Sequence, residues 1–428
     1  MLKSIQLQGL LSFPPDSPPL RLNNLNVLIG ANGSGKSNFI DALELLGSMP
    51  NASERQLRTF GGPKHFFWQG DWRGQEELAS IEFSVFHQTS KTFNQLEVFD
   101  ENYDLKETNR SDEFIKFIFN QSGINIQLQN EILRNAESII VNKNQLTSDL
   151  KTHLSSAPKM KQKSNKFSRL KHFLSVLSST SPLFFRSSHF FTLYDWKEFL
   201  PKNSVQSNFW DAIYRTEIFL SQFNTYRDFN IGRKADYRKG QSFDYGDDFP
   251  LPSLNNLAVV LNEINNRDAE LINEPMRRIM KRFDRLSVAI GSGVPLLQIH
   301  EIDKSDPTPI WRMSDGTLRI LSIIAHIHAK YKPSLLCIEE PEIGLHPDAL
   351  YVVADLLKEA STRMQVVVST HSDVLLHALA KDTESVIVFD HDGRGTTMKH
   401  LDSEQMNEWL KNYTLDEMWA MGMLGGTP

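Results

Sequence analysis

One cysteine, Cys337, stands in a chain of 428 residues. No disulfide can form within the chain, and a reducing, cytoplasmic setting is the simplest expectation. Long apolar runs are also lacking: no stretch approaches the roughly 20 residues that cross a bilayer, so no membrane association is expected. The opening "MLKSIQLQGLLSF" has no basic stretch followed by a long apolar run, which argues against a signal peptide. A strong excess of one sign of charge is also lacking. A net charge of −6 gives no global electrostatic case for nucleic acid, although it leaves room for a local basic patch. Such a patch exists where acids are absent. Between Lys151 and Tyr194 there is no Asp or Glu, and Lys159, Lys161, Lys163, Lys166, Arg169 and Lys171 cluster there.

With 40% hydrophobic and 23% charged residues, what remains is an ordinary globular composition, long enough for two or three domains. "GANGSGKS", Gly30 to Ser37, matches the phosphate-loop pattern G-x-x-x-x-G-K-[ST] in full. An apolar strand, Leu25 to Ile29, leads in. A helical pattern leads out, with Phe39, Leu43 and Leu46 on one face and Gly47 at its end. The residue types suit the chemistry. Glycines let successive backbone N–H groups curl around phosphate oxygens, and the helix N-terminus adds partial positive charge. The expected nucleotide cradle is Asn32, Gly33, Ser34, Gly35, Lys36, Ser37 and Asn38. Lys36 is placed to reach the β- and γ-phosphates of ATP, and the Ser37 hydroxyl to ligate Mg²⁺.

"SLLCIEEPEIGLHP", residues 334 to 347, ends an apolar strand on two adjacent glutamates. Adjacent buried carboxylates repel, so a purely structural strand would avoid them. A cation above the tip relieves that repulsion. Phosphate-loop hydrolases place such an acid at the end of a second strand beside the loop, so Glu339 is expected to hold Mg²⁺. Glu340 is then the candidate base for the attacking water.

"SDGTLR", Ser314 to Arg319, resembles the signature motif of ABC-type ATPases. "VVVSTHS", with His371, is similar to their switch-histidine segment, and "EEPEIGLHP" to the Walker B and D-loop of the RecF, SMC and OLD-type branch. This resemblance spans about residues 1–50 and 250–428. It implies an α/β phosphate-loop ABC-type ATPase head, with a parallel core sheet, an antiparallel β-subdomain and a helical insertion. It further implies a homodimer or higher oligomer sandwiching ATP. Ser314 and Gly316 would meet the γ-phosphate on the opposite subunit, and His371 would contact it within its own. In this branch the acid on the Mg²⁺ side is glutamate, and His346 stands where transporters carry aspartate. The Q-loop glutamine stays open between Gln69 and Gln162.

Three segments are expected. Residues 1–146 form an N-terminal lobe with the phosphate loop and, from about Leu78, an antiparallel sheet. Residues 147–230 form a basic helical insertion, and 231–428 a C-terminal lobe of alternating strand and helix. For the load that the ATPase drives, one reading is a nucleic-acid-responsive enzyme of repair or anti-phage defence. Phe167, Phe173 and Phe190 in the basic stretch would stack on bases. Arg277, Lys281 and Arg285, four apart in "EPMRRIMKRFDRL", would line one helix face, with Arg278 and Arg282 beside them. A second reading is a switch that holds a separate effector, a nuclease or toxin; the apolar tail "LDEMWAMGMLGG" could dock such a partner, although docking on its own head is the better reading. A non-catalytic scaffold is a further alternative, and a transporter subunit is disfavoured. Asp390 and Asp392 read better as an Asp-Gly hairpin turn than as a metal site.

Overall fold

The computed structural model describes residues 1–48, 67, 68, 70, 79–85, 113–120, 123–130, 139–141, 215, 216, 218–227, 232, 235–238, 246–291, 294–379, 383–401 and 418. Two compact units emerge. The first comprises Met1–Leu22, Glu44–Ser221 and Asp392–Thr397; the second comprises Asn23–Leu43, Gln222–His391 and Met398–Pro428.

The first unit is built on an antiparallel sheet. Strands β1 (Leu2–Gln8), β2 (Leu20–Arg21), β4 (Ala79–Val85), β5 (Glu113–Asn120), β6 (Gly123–Asn130) and β7 (Ile139–Val141) lie in the order β2-β1-β4-β5-β6-β7. The short alternating runs predicted after Leu78 are therefore strands. Ile5 and Leu7 alternate inward along β1, a register irregularity between Leu2 and Ser4 precedes them, and Leu2, Ile5 and Leu7 are all fully buried. Asp392 closes the turn seen in the sequence: its Oδ1 accepts from the backbone N–H groups of Arg394 and Gly395 at 2.9 and 3.0 Å, and Gly393 has φ +85°.

The second unit carries the chemistry. Its main sheet runs β15 (Thr396–His400), β14 (Val386–His391), β3 (Leu25–Ile29), β13 (Gln365–Ser369), β12 (Leu335–Glu339), β8 (Phe223–Tyr226). The pairs β14–β3, β3–β13, β13–β12 and β12–β8 are all parallel. Parallel strands need cover on both faces, and "QVVVS" in β13 is buried at every position. Helices α1 (Lys36–Ser48), α2 (Leu257–Arg267), α3 (Glu270–Ile279), α4 (Asp315–His328), α5 (Pro347–Ser361) and α6 (Asp373–Leu379) connect and cover the strands. In α4 every residue from Leu318 to His328 is buried, so the helix is a core element rather than a surface one. Each of its fully buried Leu or Ile side chains contributes roughly 1.5–3 kcal/mol of transfer free energy. Within one cluster, Leu318, Leu321 and Ile324 of α4 join Leu336 and Ile338 of β12 and Val366 and Val368 of β13.

Three features of this unit lie beyond or against the sequence expectations. First, the sequence left strand order open, and β13 lies between β3 and the acid-tipped strand β12. All three strands end at the same sheet edge, with Glu339 opposite Ser369 and Ser369 opposite Leu28. Second, "EPMRRIMKRFDRL" is not one helix. The helix α3 stops at Ile279, Met280 is extended (φ −122°, ψ 95°), and Phe283–Gly291 form strand β9, paired with β10 (Val294–Glu301). Burial of Phe283 and Leu286 in the cross-strand core overrides the local helical preference. The basic trio is thus split among helix, turn and strand. Third, Phe223–Tyr226, inside the stretch read as helical, is strand β8. Residues 142–214, with the basic cluster, lie outside the described residues, as do Gln69, Gln162 and most of the apolar tail.

Candidate phosphate and cation site

At the edge where β3, β13 and β12 end, the backbone itself makes the first joins. Thr370 donates its N–H to the Leu28 carbonyl at 3.1 Å, and Glu340 donates to the Ser369 carbonyl at 3.0 Å. Three loops far apart in sequence are thereby fixed to one another.

Between β3 and α1 the chain makes a tight cradle. Gly30 and Gly35 have φ of +147° and +104°, a region that disfavours any side chain. A Cβ on Gly30 would lie 2.2 Å from the Phe389 carbonyl oxygen, so the position has no room for one. Asn32, Gly33 and Ser37 are exposed and Asn38 is half-buried, whereas Ser34, Gly35 and Lys36 are buried. The Lys36 ammonium donates to the carbonyls of Gly30 and Ala31 at 2.7 and 3.0 Å. Burial lowers its pKa, opposed by the charges of Glu340, Glu339 and Glu342. The lysine thus lies within the field of the acidic tip predicted to share its ligand.

Ser37, in the first turn of α1, donates its hydroxyl to Oε1 of Glu339 at 2.5 Å. A hydroxyl and a carboxylate in contact form an all-oxygen donor set, the chemistry a hard divalent cation takes. The residues therefore fit Mg²⁺, with Ser37 and Glu339 as its holders. They also fit a triphosphate, since the glycine cradle, the α1 N-terminus and Lys36 supply its donors.

Glu340 sits just past β12 with φ +44°, a strained value for a residue with a side chain. Its carbonyl accepts from Nη1 of Arg319 at 3.2 Å and from the Ile343 N–H at 3.2 Å. The strain is held from two sides. Oε1 of Glu340 lies 3.7 Å from Nε2 of His371. Burial, together with the charge of Lys36, depresses the His371 pKa, opposed by Glu340. His371 is then neutral at neutral pH, able to donate one hydrogen bond and accept another.

Ser314 and Gly316 are placed differently. Ser314 caps α4, accepting from the Thr317 N–H at 3.1 Å. Gly316 packs so closely on the loop after Glu342 that an added Cβ would sit 2.9 Å from the Gly344 carbonyl oxygen. Both line a cleft of about 1170 Å³ with Trp311, Leu345 and His346, and no phosphate-loop residue lines it. His346 caps α5, its Nδ1 accepting from the Asp348 N–H at 3.3 Å. Buried Arg238 fixes the signature turn, donating to the Met313 carbonyl at 2.9 Å and to the Asp315 carboxylate.

Sequence reasoning missed Arg227. It follows β8 directly, donates Nη2 to the Ser37 carbonyl at 2.7 Å, and pairs with Asp41. Its Nε lies 3.3 Å from Oε2 of Glu339. No motif marks it; only the pairing of β8 with β12 brings it to Ser37 and Glu339. Glu342, in a quoted motif but given no role, accepts from Thr370 and His371.

The basic residues near α3 are engaged. Arg277 pairs with Glu270 at 2.8 Å, Arg278 with Asp355 at 2.6 Å, Arg282 with Asp303 at 3.1 Å and Arg285 with Asp284 at 2.7 Å. No helix among the described residues is long and apolar enough to cross a membrane.

The chain is similar to known proteins in segments of its sequence and in its fold. A segment of the chain is 28% identical over 118 residues to the energy-coupling factor transporter ATP-binding protein EcfA2 of Lactobacillus johnsonii, covering 27% of this chain and 38% of that protein. Another match is 31% identical over 129 residues to the Old nuclease of Escherichia phage P2, covering 27% of this chain and 22% of that protein. Both matches span well under half the length of those relatives. Among solved structures, an SMC head bound to the C-terminal winged-helix domain of ScpA superposes with a TM-score of 0.51 at 15% identity, covering 94% of this chain and 99% of that one. The fold is that of an α/β phosphate-loop ABC-type ATPase of the SMC and OLD-like branch. Residues 25–377 match the family described as "AAA domain, putative AbiEii toxin, Type IV TA system", and the chain belongs to that family.

Proposed function

We propose that the protein binds and hydrolyses Mg²⁺·ATP and works as a nucleotide-driven dimeric switch. The contact between the Ser37 hydroxyl and the Glu339 carboxylate carries this reading, because it joins the two halves of a cation site across the chain. Lys36 and the cradle would bind the β- and γ-phosphates, and Ser37 and Glu339 would hold Mg²⁺, which neutralises phosphate charge when bound. Glu340 would accept the proton of the attacking water, and neutral His371 would hydrogen-bond the γ-phosphate. Ser314 and Gly316 open on their own cleft, away from the phosphate loop, which suits them to the nucleotide of a second copy.

As to the load, Arg277, Arg278, Arg282 and Arg285 each pair with a carboxylate and are divided among helix α3, a turn and strand β9, so they do not form the single basic helix face expected for nucleic acid. This favours a switch that regulates a separate effector, a nuclease or toxin, in anti-phage defence. The family's description names a toxin of a toxin–antitoxin system, and one relative is a phage nuclease. A nucleic-acid trigger through other residues, or a repair role, is the second reading.

The test is a phosphate-release assay with mass measurement, with and without Mg²⁺·ATP. Turnover in wild type, its loss in Lys36→Ala, and an ATP-dependent doubling of mass in Glu340→Gln are expected. Wild-type protein that neither binds nor turns over ATP would overturn the reading. Repeating the assay with DNA at two salt concentrations separates the loads, since stimulation that fades as salt rises marks direct nucleic-acid contact.

A further inference from the structure

Beside the base and the switch histidine stands a third acid that the reaction as outlined does not use. Glu342 follows Glu340 by two residues, across Pro341. Its Oε1 accepts two hydrogen bonds, from the His371 backbone N–H at 2.7 Å and from the Thr370 hydroxyl at 2.9 Å. Its Oε2 is buried and has no hydrogen-bond partner. Placing a carboxyl oxygen there is unfavourable, so the two bonds to the other oxygen must outweigh that cost. Burial, with the charge of Glu340, raises the Glu342 pKa, opposed by hydrogen bonds from the His371 and Glu342 backbone N–H groups and the Thr370 hydroxyl.

The acceptor is shared in an informative way. Both donors belong to the segment after β13, and both precede the His371 side chain in the bonding path. The loop after β12 that carries Glu342 also carries Glu340, whose own N–H is bonded to the Ser369 carbonyl. Two ties therefore lock the tips of β12 and β13. One, backbone to backbone, sets the strands; the other, through Glu342, sets the loop that presents His371 to Glu340 at 3.7 Å.

We infer that Glu342 is a positioning residue that holds the His371 loop at the distance from Glu340 needed for hydrolysis. It does so as a hydrogen-bond acceptor, so its charge is dispensable and its carbonyl-type oxygen is not. Glutamine keeps that oxygen; alanine leaves the two donors without their acceptor. This rests on the ATPase reading only for its kinetic readout.

The experiment compares Glu342→Gln, Glu342→Ala, Glu342→Asp, His371→Ala and the Glu342→Ala/His371→Ala double variant. In Glu342→Ala, kcat should fall about tenfold or more while ATP affinity stays within about threefold. The double variant should be no slower than His371→Ala alone, the signature of action through one residue. Glu342→Gln should keep kcat within about threefold of wild type. Glu342→Asp, which withdraws the carboxyl group while retaining its charge, should behave like alanine and replaces it if that variant fails to fold. Amide exchange on nucleotide-free protein gives a readout independent of turnover. The His371 N–H should exchange faster in Glu342→Ala or Glu342→Asp than in wild type, with exchange across α4 unchanged.

Losses that add in the double variant, a Glu342→Gln as slow as Glu342→Ala, or unchanged exchange at His371 would overturn the inference. If wild type itself fails to turn over ATP, the functional reading fails while the exchange comparison still decides the role of Glu342.

Discussion

The Ser37 hydroxyl donates to Oε1 of Glu339 at 2.5 Å across 302 positions of sequence. Ser37 is fixed by the first turn of α1, and Glu339 by a strand two places away in the sheet. Removing either oxygen should leave the fold intact and impair the cation site. Ser37→Ala and Glu339→Gln are expected to weaken Mg²⁺-dependent ATP binding by at least about tenfold while leaving thermal stability near wild type. Calorimetric titration with and without Mg²⁺ checks this; equal loss without the metal would assign the effect to the phosphates instead.

Arg227 braces that pair from β8. It contacts Asp41, the Ser37 carbonyl and Glu339 together, a task for a planar fork of donors. Arg227→Lys should therefore rescue poorly. Both Arg227→Lys and Arg227→Ala are expected to raise the Mg²⁺ concentration needed for half-maximal turnover, by about threefold to tenfold. A lysine variant indistinguishable from wild type in a Mg²⁺ titration would show that charge alone suffices.

The signature turn offers a cleaner separation of binding from turnover. Ser314 is exposed at the start of α4 and lines a cleft without phosphate-loop residues. Ser314→Arg should abolish hydrolysis yet leave ATP affinity within about threefold. Mixing it with Lys36→Ala protein should restore part of the activity, because each variant supplies the half the other lacks. Full activity of Ser314→Arg alone would sink the composite site.

Two buried histidines of α4 make stability depend on pH. His326, wholly buried, and His328 both have pKa values lowered to about 4, in each case chiefly by burial. The folded state keeps them neutral, whereas the unfolded chain protonates them near 6.5. Between pH 6.5 and about 4 the unfolded state binds more protons, so their contribution is present above 6.5 and is lost on acidification. From pH 7 to 5 the loss is on the order of 2 kcal/mol for each. Urea midpoints at the two pH values measure it. His326→Phe, which keeps a ring beside Tyr226, should shrink the difference; an unchanged pH dependence would contradict the assignment.

Much of this was legible in the chain itself. The phosphate loop, the apolar strands before Gly30, Glu339 and Thr370, and helices α4 and α5 follow from spacing and periodicity, which are local properties. Glycine at 30 and 35, lysine at 36 and the pair at 339 and 340 carry their chemistry in their identities. The sequence could also place Ser314 at a helix start, since a Ser cap needs only its own next turn. Tertiary structure decided what depends on distant pairing. Phe283 joins a hairpin instead of extending α3 because a cross-strand core offers more burial than another helical turn. β13 separates the loop strand from the acid strand, a choice of sheet order that no local pattern encodes. Arg227 has no motif of its own, and Glu342 stands in one whose pattern gave it no role. Their roles arise because parallel strands bring their ends to one edge, where a side chain from one loop can meet the backbone of another.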